Sequence, residues 1–341
     1  MNISMASNLI LDHISKPGET ISSKRYESRV GGKGANQAVA IARAGGTIEF
    51  CGTVGKDGEW IVEYMKKRGV DISGIIISEG ETTGRAIIQV GDDGENSIIL
   101  FPGSNHSQLH EKRIASSCQL WFPDAMHLLL QNEINYQSTL TSLLKAKEEG
   151  LCTIFNPSPM LSPAQIHAFL WDKVDWLLVN EGEAEALYRG SCTGSQDSAA
   201  PRDSQTASTT SVKDGIASSL ASLDAFNKTN IICTLGAGGV LAYLRRSDGS
   251  ESASVYRPAA RLQGTFRDTT GAGDCFTGYF VSGLMQYPPD ARLGGDVSEE
   301  DITRILEVSN QAAGMSVERP GTIDSIPMRD EVEQRISQAA K

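Results

Sequence analysis

No stretch of 18 consecutive apolar residues occurs in this chain, so it offers no helix long and apolar enough to cross a bilayer. The opening segment, MNISMASNLILDHISK, has no basic leader, and a signal peptide is not expected. Basic patches are missing too. With 31 Lys and Arg against 42 Asp and Glu, the net charge of −11 repels nucleic-acid backbones, so no nucleic acid and no membrane is expected as a partner. The six cysteines form no C-x-x-C pair and no disulfide framework, which points to a reduced, cytoplasmic compartment. No G-x-S-x-G elbow and no internal repeat occurs. The spacing of His106 and His110 suits a metal, but no acidic third ligand follows. His13, His127 and His167 stand alone.

What remains is a chain of 341 residues, 40% hydrophobic, enough for one large α/β domain or two ordinary ones. Short apolar runs at 48–54, 126–131, 151–156, 175–180 and 230–235 read as buried strands. Helical patterns at 58–70, 135–149, 162–171, 181–189 and 212–226 lie between or beside them. This alternation predicts a mostly parallel sheet covered on both faces, with ligands gathering beyond the strand C-termini. Two regions break the rhythm. Segments at about 18–30 and 74–104 carry β-rich runs without a helix between them, including a hairpin turn at Asp92-Asp93-Gly94, and read as a small lid sheet. Residues 190–215, rich in Ser, Thr and Ala, cannot offset their chain entropy and read as a disordered surface insertion. The whole of 1–341 is then a single domain.

Three glycine-rich stretches carry the chemistry. In DTTGAGDCF (268–276), Phe276, Phe280 and Leu284 recur at helical spacing, so a helix starts near Gly273. Its first-turn N–H groups lack intrahelical partners, and the bare backbone of Gly271, Ala272 and Gly273 lets an anion approach them. Asp274 beside such an anion is placed to take a proton from an attacking hydroxyl; alternatively it only caps the helix. Cys275 is either reactive or a small buried thiol. In RVGGKGANQA (29–38), Gly32 and Gly34 flank Lys33. No G-x-x-x-x-G-K-[ST] loop exists and no clear strand precedes this stretch, so neither a Walker A loop nor a dinucleotide fingerprint fits. Lys33 and Asn36 offer donors to hydroxyl groups. VNEGEAE (179–185) and CTLGAGGV (233–240) sit at strand ends. Asn180 and Glu183 suit a hydrated Mg²⁺, or the glutamates form a solvated helix start. Gly236, Gly238 and Gly239 allow a nucleotide to lie against the backbone.

Taken in order, GGKGANQA, NEGE, TLGAGG and DTTGAGDCFTGYF resemble the signatures of the PfkB carbohydrate kinase family, on its ribokinase branch. The resemblance runs from about Pro17 to about Pro327. It implies a ribokinase-like three-layer αβα sandwich with a small β-sheet lid, and ATP-dependent phosphorylation of a sugar hydroxyl, for ribose the 5-hydroxyl. By position it assigns Asp274 as base and Gly271, Ala272 and Gly273 as the anion hole. Asp12, Gly32, Lys33, Gly34, Asn36 and Glu133 are assigned to the sugar. Asn180, Thr234, Gly236, Gly239, Gly273 and Asn310 are assigned to the nucleotide, and Glu183 to Mg²⁺. A K⁺ site falls to Asp268, Thr270, Ser316, Arg319, Gly321 and Ser325, several through carbonyls. Lid pairing between subunits implies a homodimer. The family also implies two alternatives: another sugar or nucleoside as acceptor, or a binding protein that has lost catalysis. The N-terminus departs from the pattern. NLILDHISKPGE compresses the first central strand and the lid, with Ile10 in place of an expected Asn. Read without a gap, Asp12 leaves the sugar site altogether.

Overall fold

The computed structural model describes residues 1–109, 112, 124–192, 215–245, 253–287 and 297–339. Most of the expected insertion, 193–214, lies outside the described residues, as do His110 and Cys118.

Five-residue apolar runs build the main sheet. In chain order its strands are β7 (His127–Gln131), β8 (Cys152–Asn156), β9 (Trp176–Asn180), β10 (Asn230–Thr234), β11 (Val240–Leu244) and β12 (Ala253–Arg257). They lie side by side in the order β12-β11-β10-β9-β8-β7. From β7 to β10 neighbours are parallel, while β11 and β12 return antiparallel. All residues of β8, and Trp176 to Val179 of β9, are buried, as expected of strands covered on both faces. A separate parallel pair, β3 (Gly52–Gly55) and β4 (Ile75–Ser78), lies apart from these six.

Helices cover both faces. On one side pack α1 (Lys33–Arg43), α7 (Ala272–Leu284) and α8 (Glu299–Val317). Ile41, Phe276 and Phe280 meet Trp176 and Ile232 there, with Phe280 edge-on to Trp176 at 5.4 Å. On the other side are α3 (Tyr136–Glu148), α4 (Pro163–Ala168), α5 (Glu181–Cys192) and α6 (Ile216–Ala221). Phe155, Phe169, Trp171 and Phe226 form an aromatic cluster beneath them. The remaining helices are α2 (Glu59–Lys66) and α9 (Arg329–Ala339). This is the αβα arrangement expected from the sequence. Of the helix expected over 212–226, the described residues from 215 on form Ile216–Ala221 and a separate turn at Asp224–Phe226, and 212–214 lie outside the described residues.

The lid is a four-stranded sheet of order β2-β1-β5-β6, from β1 (Ser4–Ile10), β2 (Arg25–Gly31), β5 (Gly84–Val90) and β6 (Asn96–Phe101). Two expectations are corrected. The NLILDHI stretch does not fill a central strand, because β1 pairs residue for residue with β2 and β5 from Ser4 to Ile10. Ile75–Ser78 belongs to the small central pair and not to the lid.

Candidate active site

Both site helices begin where a glycine stops a strand or loop. Gly271 lies at φ 82°, in the left-handed region, and a Cβ there would come within 2.5 Å of Thr322 Cγ2. That turn starts α7 with no side-chain cap, so its first amides face outward. Nothing lies within 4 Å of where a Cβ on Gly273 would stand, so the backbone there is open to a ligand. A pocket of about 240 Å³ lies against it, lined by Lys33, Asn180, Glu183, Thr234, Gly271, Gly273 and Asp274 together with Asn156, Thr269 and Thr277.

Asp274 stands in the first turn of α7 and is only 7% exposed. Two amides from one turn of α1 hold its carboxylate. Asn36 Nδ2 donates to Oδ2 at 2.8 Å and Gln37 Nε2 to Oδ1 at 2.8 Å. Gln37, fully buried, also donates to Asn156 Oδ1 at 3.2 Å and accepts from Gln131 Nε2. Asn156 is fixed in turn by donating to the Leu178 carbonyl at 2.9 Å. Gln37, Gln131 and Asn156 were not anticipated from the sequence. Gln37 is the next residue after Asn36, but only the packing of α1 on α7 shows that it faces Asp274. Asn36 Oδ1 is buried with no partner among the described residues. A buried orphan acceptor beside the carboxylate fits a ligand hydroxyl.

The start of α1 gathers the other polar groups. Lys33 N–H donates to Glu133 Oε2 at 2.8 Å, and Gly34 N–H to Asn2 Oδ1 at 2.7 Å. Burial raises the Glu133 carboxyl above the usual range, and the charge of Asp274 adds to this; the Lys33 amide, the Lys33 charge and an Asn2 hydrogen bond oppose it. A Cβ on Gly32 would stand 2.6 Å from Asn2 Nδ2. Asn2 thus borders the residues expected to hold the sugar, another neighbour the sequence did not reveal.

Asp12 is not among them. Its side chain is 73% exposed and ion-paired to Lys24 at 2.6 Å. Ser4 pairs with Gly31 at the site end of the lid, Ile10 with Arg25 at the far end. Asp12 therefore lies roughly 25 Å along the strand direction from the sugar side. The gap-free reading is the one the fold follows, and residues 1–10 contain no carboxylate side chain to replace it.

At the strand ends, Asn180 and Glu183 cap α5 reciprocally: Asn180 N–H donates to Glu183 Oε2 at 3.0 Å and Glu183 N–H to Asn180 Oδ1 at 2.8 Å. Both also line the pocket, so the capping and ligand readings of this pair are compatible. Oxygen ligands of this kind, a few per ion, fit a hydrated Mg²⁺. Gly236 is open on its Cβ side. Gly239 has a packing role, since a Cβ there would come within 2.1 Å of the Arg257 carbonyl. Asn310 braces the same corner by donating to the Pro258 carbonyl at 2.9 Å.

The six residues expected around a monovalent cation come together in neighbouring loops. Arg267 and Asp268 N–H donate to the Val317 carbonyl at 2.8 and 3.3 Å, next to Ser316, and Gly271 abuts Thr322 between Gly321 and Ser325. Asp268 Oδ1 accepts from Thr270 N and Oγ1. The Arg319 guanidinium is engaged by Glu331, so its carbonyl is the group left for a cation. A site rich in carbonyl and hydroxyl oxygen suits K⁺. Cys275, fully buried with its thiol pushed up to about 12, is the inert thiol of the two readings.

The pfkB family carbohydrate kinase pattern matches residues 4–329. The chain is 32% identical to a ribokinase of Haemophilus influenzae, over 94% of this chain and 91% of that one. It is 31% identical to a ribokinase of Schizosaccharomyces pombe, over 93% and 90%. Among solved structures, a ribokinase of Cryptococcus neoformans var. grubii in complex with ADP superposes with a TM-score of 0.78 at 39% identity, covering 98% of this chain and 97% of that one.

Proposed function

The chain belongs to the PfkB family of carbohydrate kinases, and from that premise we propose that it transfers the γ-phosphoryl group of ATP to the 5-hydroxyl of D-ribose. The observation that carries this reading is a buried carboxylate, Asp274, fixed by Asn36 and Gln37 at the mouth of an uncapped glycine-started helix. Lys33, Asn36, Glu133 and Asn2 supply the hydrogen-bonding wall for the sugar, and Thr234 and the Gly236 turn lie on the nucleotide side.

In the reaction, the sugar oxygen forms a bond to the γ-phosphorus as the bond to the bridging β–γ oxygen breaks. The hydroxyl proton passes to Asp274. Its two amide donors leave the carboxylate oriented without neutralising it. The open amides near Gly273 and the Lys33 ammonium face the charge that spreads over the moving PO₃ group. Magnesium, which Asn180 and Glu183 would hold through water, supplies further charge neutralisation on the phosphates. K⁺ among residues 268–270 and 316–325 would order the loop ahead of Asp274. The domain is a single unit from 1 to 341 with the lid over the sugar. Among the described residues Cys51, Cys152, Cys192, Cys233 and Cys275 form no disulfide, which fits a reducing cytoplasm.

The test is ribose-dependent ADP release with and without K⁺, beside fructose and a nucleoside. Ribose is expected to turn over fastest. Asp274→Asn should lower kcat by about a thousandfold or more, with sugar affinity changed by less than about threefold. An unchanged kcat in that variant rejects the assignment, and a faster nucleoside rejects ribose as the substrate.

A further inference from the structure

A chain of side-chain amides runs from the ends of two strands to the carboxylate of Asp274, and its far end lies outside the active-site pocket. Gln131 closes β7 and pairs in register with Asn156, which closes β8. Gln37 reaches both from α1. Gln37, Gln131 and Asn156 are all buried. Asn156 lines the pocket and Gln131 does not.

The direction of every donor in this chain is fixed from its two ends. The Leu178 carbonyl only accepts, so Asn156 turns Nδ2 to it, at 2.9 Å, and Oδ1 to Gln37. The ionised carboxylate of Asp274 only accepts too, and Asn36 already occupies its Oδ2. Gln37 therefore spends both hydrogens of Nε2, one on Asn156 Oδ1 at 3.2 Å and one on Asp274 Oδ1 at 2.8 Å. Its Oε1 is left facing Gln131, whose Nε2 donates to it. Turned over, Gln37 would set its oxygen against two acceptors and its nitrogen against the Gln131 donor.

Gln131 is held for that one bond. Its Oε1 is buried with no partner among the described residues. An unpaired buried acceptor costs stability, and a hydrocarbon side chain of the same length would avoid the cost. What the glutamine supplies in return is the donor on Gln37 Oε1.

We propose that Gln131 is a positioning residue for phosphoryl transfer: by donating to Gln37 Oε1 it keeps the Gln37 N–H groups aimed at Asp274 Oδ1, and so fixes the carboxylate that takes the hydroxyl proton. The inference rests on Asp274 being the base. Without the Gln131 donor, Gln37 Oε1 is orphaned, the amide turns to find another partner, and one oxygen of Asp274 is released. A misplacement of about 1 Å near the reacting atoms costs on the order of a hundredfold in rate.

Gln131→Met keeps the length of the side chain and removes the donor. It is expected to lower kcat about tenfold or more, with KM for ribose and for ATP within about twofold of the parent. It abolishes one unpaired acceptor and creates another, so Tm should move by less than about 4 °C. Gln131→Leu is the second variant, with the same expected split between kcat and KM. In a double-mutant cycle with Gln37→Met, no amide remains at 37 to orient, and adding Gln131→Met should change kcat by less than about twofold.

A further arm does not depend on turnover. Protein labelled with ¹⁵N in its glutamine side chains should show slowly exchanging Gln37 amide hydrogens, identified by their loss in Gln37→Met. Their exchange should quicken about tenfold or more in Gln131→Met. The proposal is overturned if both Gln131 variants keep the parent's kcat, or if KM for ribose rises as much as kcat falls. It is also overturned if the Gln37 hydrogens stay as protected as in the parent, or if Gln131→Met costs as much in the Gln37→Met background as alone. An Asp274→Asn variant with the parent's kcat rejects the base assignment, whatever Gln131 does. A crippled Asp274→Asn beside unaffected Gln131 variants rejects the positioning role alone.

Discussion

Glu133 shows how a residue placed for binding acts against stability. Its carboxyl is raised mainly by burial and then by Asp274, so the folded chain holds this proton more tightly than the unfolded chain does. The stabilising contribution is complete below the unfolded value of 4.5 and is lost as the pH climbs through the folded value. Near neutrality the ionised group is a net cost. Glu133→Gln keeps an acceptor for the Lys33 amide and removes the charge. It should raise Tm by about 2–4 °C at pH 7.5, with the gain fading towards pH 4.5, while KM for ribose rises about tenfold or more. Melting curves at the two pH values and a ribose titration check both halves. Asp274, Lys33 and Asn36 were legible as candidate site residues because glycines mark their positions in the chain. Gln37, Asn156 and Asn2 were not, since a buried amide or a terminal residue carries no such mark.

At the scale of elements, α5 combines a local duty with a distant one. The reciprocal cap of Asn180 and Glu183 is written in four consecutive residues, N-E-G-E, and needs no tertiary partner. Its place beside Gly273 and Asp274 depends on β9 and β10 lying next to each other. Glu183→Ala should cost about 1 kcal/mol of stability without ligands and, separately, raise the Mg²⁺ concentration needed for half-maximal rate. Denaturation of the free protein and a metal titration separate the two effects. β1 teaches the opposite lesson. Its alternation of small, polar and apolar residues suits either a central or a lid strand. Pairing with β2 and β5 decides the matter, and that decision takes Asp12 away from the sugar.

For the whole molecule, the lid leaves an unusual edge. Ile98, Ile99, Leu100 and Phe101 of β6 are each at least 50% exposed, on both faces of a terminal strand. Among the described residues this apolar edge strand is uncovered, and we propose the lid of a second copy as its covering. Ile99→Lys with Phe101→Glu should convert a dimer into a monomer, read by light scattering, with the far-ultraviolet circular dichroism unchanged. A parent protein that is already monomeric at micromolar concentration counts against lid pairing.

The sequence by itself determined the alternation of strands and helices, the open glycine starts of α1 and α7, the Asn180–Glu183 cap and the place of Asp274 in the first turn of α7. These follow from periodicity, from glycine conformation and from neighbours a few residues apart. Only the tertiary structure decided which strands share a sheet, and that Gln37 and Asn36 grip Asp274 across more than two hundred residues. The physical reason is that local pattern fixes which face of an element is apolar, whereas the partner that covers it is selected by packing and backbone pairing between segments remote in the chain.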